Sequence, residues 1–450
     1  MTQTLEKPMF SNRELFRLGI PMVLEGLLSV AAGMADVAMV SSCGAAAMSA
    51  VSLIDPINNL FTLFFGAMTL GGIIVTSQYL GRGDTDRAKS SAYQVLYGST
   101  AVALVITVIL LCFIPQVIKL IYGELEPLLF EKSKTYFFWT LLSYPFLAIA
   151  SSCSSVLRVQ KKTTATLIST LLINTVNIGG NAVLIYGFDM DIAGAAISTT
   201  LCRVVWALLG LSFMRNSELP IRFAPLFKYK PDFDILKRIL KLGGANGLEN
   251  VLLQFGTLLI TTIIAALGTT TIAANSAANF ICNFGWLVPG QLGGLLLMVV
   301  GRCMGAGRPD EAKAYTKKIA NFSLVFTLFF FGILFLLRNQ VVHVYALEEE
   351  ALALAGKVVG IVCLATILSF FGWAGVPTSA FRAAGDVKYT VIVSVSTTFI
   401  CRIGLAYVFS RWLNLGILGV WIGNWMAWTT SAVSNCLRLR SGKWMTKKVI

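Results

Sequence analysis

An all-α integral membrane protein is the fold class this sequence predicts, with twelve transmembrane helices in two pseudo-symmetric six-helix lobes. Three observations predict it. Of 450 residues, 56% are hydrophobic and only 13% charged, and the uncharged stretches run to about 20 residues, the length that crosses a bilayer. The basic residues fall into alternate gaps between those stretches. The second half of the chain repeats the first.

The predicted spans are 15–40, 52–79, 93–114, 136–157, 165–187, 192–214, 238–267, 273–300, 315–337, 353–380, 388–410 and 415–437. Each is an apolar run bounded by charge, Gly or Pro. The gaps after the even spans, with both termini, hold 28 of the 36 Lys and Arg. They cluster at Lys7, Arg13 and Arg17; Arg82, Arg87 and Lys89; Arg158, Lys161 and Lys162; 215–241; 302–318; Arg382 and Lys388; and 438–448. The positive-inside rule then predicts a multi-pass protein of the cell membrane with both termini in the cytoplasm. The same distribution accounts for the net charge of +14 without a nucleic-acid partner. The polar start MTQTLEKPMF reads as lacking a signal peptide. The nine cysteines are scattered through the spans and read as packing residues, not as a disulfide framework or a zinc site.

A shift of 224 residues aligns the halves. RLGIPMVLEGLL at 17–28 meets KLGGANGLENVL at 241–252, and GRGDTDRAK at 81–89 meets GAGRPDEAK at 305–313. Arg158 meets Arg382, and Thr166 meets Thr390. Past the loop before spans six and twelve the shift is 225, so that GAAI at 194–197 meets GVWI at 419–422. Repeats of six spans in the same orientation predict lobes related by an axis along the membrane normal. The expected division is an N-lobe at 1–214, a cytoplasmic linker at 215–237 and a C-lobe at 238–450. Duplicated lobes accompanied by intramembrane acids point to alternating-access transport.

Those acids are the first candidates for chemistry. Glu25 and Asp36 project from one face of the first span. A carboxylate inside a span costs about 2.5–3.5 kcal/mol on insertion scales and marks a functional site by default. Asp36, in the outer half, suits coupling to a proton or Na+; the alternative is a loop-capping role beside 41–44. Glu25 and Glu249 occupy equivalent places in the repeat, which fits either a shared coupling role or a structural hydrogen bond. Asp55, only three residues into the second span, reads as an interface or cavity-mouth residue, structural rather than functional. In span five, Asn174, Asn177 and Asn181 form a polar stripe. Amide oxygens there can hold a cation or a protonated carboxyl, or join helices. Thr199 lies about a turn inside span six. Span eight carries Asn275, Asn279, Phe280, Asn283, Phe284 and Trp286; span ten carries Phe370, Phe371 and Trp373. Aromatic faces beside carboxylates such as Glu249 suit flat organic cations, although aromatic runs also serve packing. Pro21 removes a backbone hydrogen bond and permits a bend in the first span. GRGDTDRAK lacks the Gly-Lys-Ser/Thr ending of a phosphate loop, so no nucleotide is implied.

Several of these stretches together resemble the multidrug and toxic compound extrusion (MATE) family, over nearly the whole chain. They are Pro21 followed by Asp36, MADVAMV, SQYLGRGD closing span two, NIGGNAVLIYGF with GAAIST after it, and GRCMGAGRPDEAK. The resemblance implies a central cavity between lobes and secondary active antiport. Small organic cations or drug-like compounds would leave in exchange for H+ or Na+, with no cofactor beyond the coupling ion and no enzymatic activity. It matches Asp36 to the family's ion-coupling aspartate and Asn177, Asn181 and Thr199 to the groups around it. A coupling Na+ would fall at Asp36, Asn177 and Asn181. Some members have a second Asp where this chain has Asn181. Glu249 matches the helix-seven glutamate of another branch, whose partner aspartate is missing from 362–384. A monomer surrounded by membrane lipid is expected. The alternative is a flippase of the same superfamily for lipids or lipid-linked oligosaccharides. That reading asks for a more basic cavity, and only Arg203 and Arg402 lie well inside the predicted spans, away from their ends.

Overall fold

The computed structural model describes residues 8–223, 229–343, 349–447 and 449–450. Lys7, Lys228 and Lys448 of the basic clusters lie outside the described residues. Among the described residues there is no strand. The first half comprises α1 (Asn12–Ser41), α2 (Ala45–Arg82), α3 (Thr85–Cys112), the short α4 (Ile114–Tyr122), α5 (Pro127–Leu142), α6 (Tyr144–Val159), α7 (Thr163–Asn181) and α8 (Asp191–Phe213). The second comprises α9 (Phe233–Ala265), α10 (Thr269–Gly305), α11 (Pro309–Leu336), the short α12 (Arg338–Val342), α13 (Glu349–Leu368), α14 (Phe371–Ala383), α15 (Val387–Ser396) and α16 (Gly416–Ser441). α7 continues as π-helix through Ala182–Gly187, and α15 through Thr397–Leu405 and Val408–Trp412.

Ten of the described helical segments are long and apolar enough to cross a membrane, and α5 with α6, bent by 42°, makes an eleventh. α16, 26 residues long and richer in Trp, Asn and Thr, is the twelfth. The repeat extends to the turns. Left-handed backbone recurs at Gly44 and Gly268, Gly83 and Gly307, and Lys161 and Gly385, each 224 residues apart. It recurs again at Asp189 and Asn414, and at Asp191 and Gly416, 225 apart.

Two predicted spans are not continuous. Span four divides at Ser143, where Pro145 lacks the N–H that would carry the ladder across. Span ten divides into α13 and α14 at Phe370, which holds a left-handed φ of 50°. Gly372 then presses α14 onto α11: a Cβ there would stand 2.6 Å from the Leu324 backbone nitrogen. α1, by contrast, runs unbroken through Pro21.

The chain forms two compact units, Arg13–Gly247 and Met1–Asn12 with Leu248–Ile450. The division thus falls inside α9, not in the polar segment 215–237. The first turns of α9 pack with α2 because glycines allow it. A Cβ on Gly71 would lie 2.3 Å from the Ile239 carbonyl oxygen, and one on Gly243 would lie 2.6 Å from that of Ala67. In the other unit, the Met9 and Phe10 amides donate to the Glu311 carboxylate and the Tyr315 hydroxyl of α11, at 2.9 and 2.8 Å. Each half has its own apolar core. One gathers Ile54, Phe65, Phe137 and Tyr144; the other gathers Ala278, Phe331, Val359 and Trp421.

Candidate ion and substrate sites

In the first half the structure brings Asp36 of α1 to Asn181 at the end of α7. The Asn181 amide donates to Asp36 Oδ1 at 2.6 Å, and Asn181 is fully buried. Its own Oδ1 is enclosed without a hydrogen-bond partner. α8 is tied alongside by the Ser198 hydroxyl, which donates to the Asn177 main-chain carbonyl at 2.9 Å. Gly180 makes room for that contact, since a Cβ there would lie 2.5 Å from Ser198 Oγ. The Asn177 and Thr199 side chains are half-buried and make no hydrogen bond of their own. Asn174 turns elsewhere and donates to the Leu28 carbonyl of α1 at 3.0 Å. A carboxylate with an unpartnered amide oxygen close by is an oxygen-donor set that can take a proton on the acid or a small cation between the oxygens.

Asp55 extends this polar region. α2 starts at Ala45, seven residues earlier than the apolar run predicts, so Asp55 lies about three turns inside the helix and not at its mouth. It accepts from the Tyr136 hydroxyl at 3.0 Å and from Asn58 at 3.5 Å, while the Tyr144 hydroxyl donates to Asn58 at 2.8 Å. Arg203 donates to the Ser143 hydroxyl at 2.6 Å, next to the break between α5 and α6. The two tyrosines carry no sequence signal of their own; only the packing of α5 and α6 on α2 reveals them.

Glu25 and Glu249 do not join this group. The carboxylate of Glu25 pairs with Arg158 at 2.6 Å and accepts from the Thr166 hydroxyl at 3.0 Å. Glu249 pairs with Arg382, also at 2.6 Å. Each arginine sits in the last turn of its helix, α6 or α14. In the second half the threonine contact is missing: Thr390 donates to the Val387 carbonyl, and Glu249 Oε2 and Asn246 Oδ1 are enclosed without partners.

The remaining candidates of the second half separate. Trp286 and Phe371 pack with Phe331, Trp421 and Trp428 into an aromatic cluster, at centroid distances from 5.1 Å for Phe371–Trp428 to 6.5 Å for Trp286–Trp421. Phe284 meets Phe280 edge-on at 6.0 Å. Asn279 donates to the Asn275 carbonyl at 2.9 Å along α10, and Asn275 Oδ1 is enclosed without a partner. Asn283 is exposed.

A family model described as MatE matches residues 21–183 and 246–408, one match in each half. The chain therefore belongs to the MatE family, a family of membrane transporters and not of enzymes. It is 24% identical to a probable multidrug resistance protein NorM of Thermotoga maritima, across 98% of this chain and 94% of that relative. It is 24% identical to the multidrug export protein MepA of Staphylococcus aureus, across 87% and 85%. Among solved structures, an outward-facing multidrug resistance MATE family transporter of the MOP superfamily superposes with a TM-score of 0.89 at 19% identity, covering 96% of both chains.

Proposed function

We propose that this protein is a secondary active antiporter that exports organic cations or drug-like compounds in exchange for H+ or Na+ by alternating access. It would work as a monomer in the cell membrane, with both termini in the cytoplasm. The observation that carries the reading is the Asp36–Asn181 pair, set within an apolar helix pair and leaving one amide oxygen enclosed without a partner. Such an acid has two competing occupants available, a proton or a small cation, and either one cancels a charge that is costly inside a span. Asn177 on α7 and Thr199 on the neighbouring α8, both with uncommitted side chains, would complete the ligand shell. Names borne by the relatives, multidrug resistance and multidrug export, support the cargo class.

The test is efflux of a cationic dye from proteoliposomes under separately imposed pH and Na+ gradients, for wild type and Asp36→Asn. Wild-type efflux driven by one gradient, and abolished by the substitution, is the expected result. Efflux that ignores both gradients would overturn the antiport reading.

A further inference from the structure

We infer that Arg402, held by Asn424 and Thr257, is a binding subsite for a carboxylate carried by the transported molecule. The inference rests on the export reading above but concerns a different half of the chain and the opposite charge.

Arg402 belongs to the membrane-crossing segment Val387–Trp412. It lies 15 residues from one end and ten from the other, roughly 22 and 15 Å of helix. A guanidinium at that depth is expensive and by default has a partner and a function. Its partners here are neutral: Nε donates to Asn424 Oδ1 at 2.8 Å and Nη1 to Thr257 Oγ1 at 3.4 Å. Among the described residues no carboxylate lies within ion-pair distance of it. The acid well inside a span of this half, Glu249, is already committed to Arg382, and Asp386, just before the start of α15, to Arg438. Nη2 has no partner, yet it is not sealed inside the protein, and the side chain as a whole is only half-buried. Arg203, in the first half, differs in having Asp55 as a charged neighbour.

The site is built, not incidental. Asn424 is buried, and its amide donates to the Val420 carbonyl at 3.4 Å, which turns Oδ1 toward the guanidinium. Close packing brings three segments together around it. A Cβ on Gly256 of α9 would lie 2.7 Å from Thr398, and one on Gly423 of α16 would lie 2.9 Å from Ala406. Arg402 projects from the π-helical stretch between them, and such turns concentrate at functional sites. With Nε and one Nη1 hydrogen engaged, the remaining N–H groups form the edge that matches a carboxylate in a bidentate pair. A phospholipid phosphate offers similar chemistry but is confined to the membrane surface, far from this depth. Cargo that moves through the protein is not.

The experiment compares two dyes on one scaffold, a rhodamine with a free carboxylate and its methyl ester. Equilibrium binding to the full-length protein in detergent and efflux from proteoliposomes are both measured, in chloride and in gluconate. For Arg402→Gln, the affinity for the acid relative to the ester should fall at least about tenfold, and Arg402→Lys should lie between, since an ammonium cannot form the two-pronged pair. Asn424→Asp places an internal carboxylate against Arg402 and should exclude the acid dye, which decides the matter if Arg402→Gln does not fold. An unchanged acid-to-ester ratio in all three variants would overturn the subsite. So would an Arg402-dependent chloride effect with no difference between the dyes, which would assign the site to chloride. Acid binding that depends on Arg402 without any efflux would keep the subsite and sink the export reading instead.

Discussion

Through the repeat, Asp36 in the first half meets Ile260 in the second at a shift of 224, and Asn181 meets Ala406 at a shift of 225. The first pair is a carboxylate hydrogen-bonded to an amide; the second packs with Ile264 and Val420 in an apolar cluster. The reverse holds one turn away. At a shift of 225, Asn177 and Thr199 of the first half are matched by Arg402 and Asn424 of the second, which are hydrogen-bonded to each other at 2.8 Å. One backbone scaffold, repeated down to its left-handed turns, thus carries an acid in one half and a base in the other. The difference teaches that duplication conserves the frame and leaves charge to individual side chains, so function has to be argued from the site.

The two ion pairs should break unequally. Removing Arg382 by Arg382→Met leaves Glu249 buried with no other partner, a loss of about 3–5 kcal/mol. Arg158→Met should cost less, because Thr166 still bonds Glu25. Apparent melting temperatures in detergent decide this, and equal losses would erase the asymmetry. Next in size, Asp36→Asn should lower gradient-driven dye efflux about 100-fold, or about 2.7 kcal/mol. Ile260→Asp in that background should not restore it, since Ala406 offers no amide; restoration would show the halves to be interchangeable. Thr166→Val should cost about 1.5–3 kcal/mol through the lost bond to a charged group, and Thr390→Val only about 0.5–1.5 kcal/mol, again by melting. Smallest is Gly372→Ala, which copies Ala148 of the first half. It should cost about 1–2 kcal/mol, because the new methyl meets the α11 backbone. Gly290→Ala, with nothing near its Cβ position, should be neutral or slightly stabilising.

Much of this was legible in the sequence. Apolar runs and the internal repeat predict the twelve spans, because bilayer thickness and hydropathy constrain length directly. Asp36 and Asn181 stand out as polar residues in apolar helices, and the structure joins them. The ion pairs were legible only in part. Glu25, Arg158 and Thr166 each match a residue of the second half, yet the sequence separation of 133 between acid and arginine gives no local sign of contact. The break at Ser143 has a cause on the chain, Pro145, whereas the one at Phe370 has none. Asp55 was misplaced in depth because Ala, Ser and Met at 45–49 look like loop, while helix α2 absorbs them. Arg402 is visible as a charge in a span, but its neutral partners lie on α9 and α16 and require the fold.

The extra residue that separates a shift of 224 from one of 225 lies between Thr390 and Asn414. An insertion into an α-helix turns every later side chain by about 100°. Here the later faces stay in place. Gly194 and Gly419 still press on the carbonyl carbons of Leu184 and Phe409, where a Cβ would lie 3.0 and 2.5 Å away. Among the described residues the second half has π turns over Thr397–Leu405 and Val408–Trp412, against Ala182–Gly187 in the first. A wider turn stores one more residue without rotating the helix beyond it. The ancestor's two copies have therefore drifted apart in length as well as in charge, and the surplus residue was taken up in the same stretch that now presents Arg402.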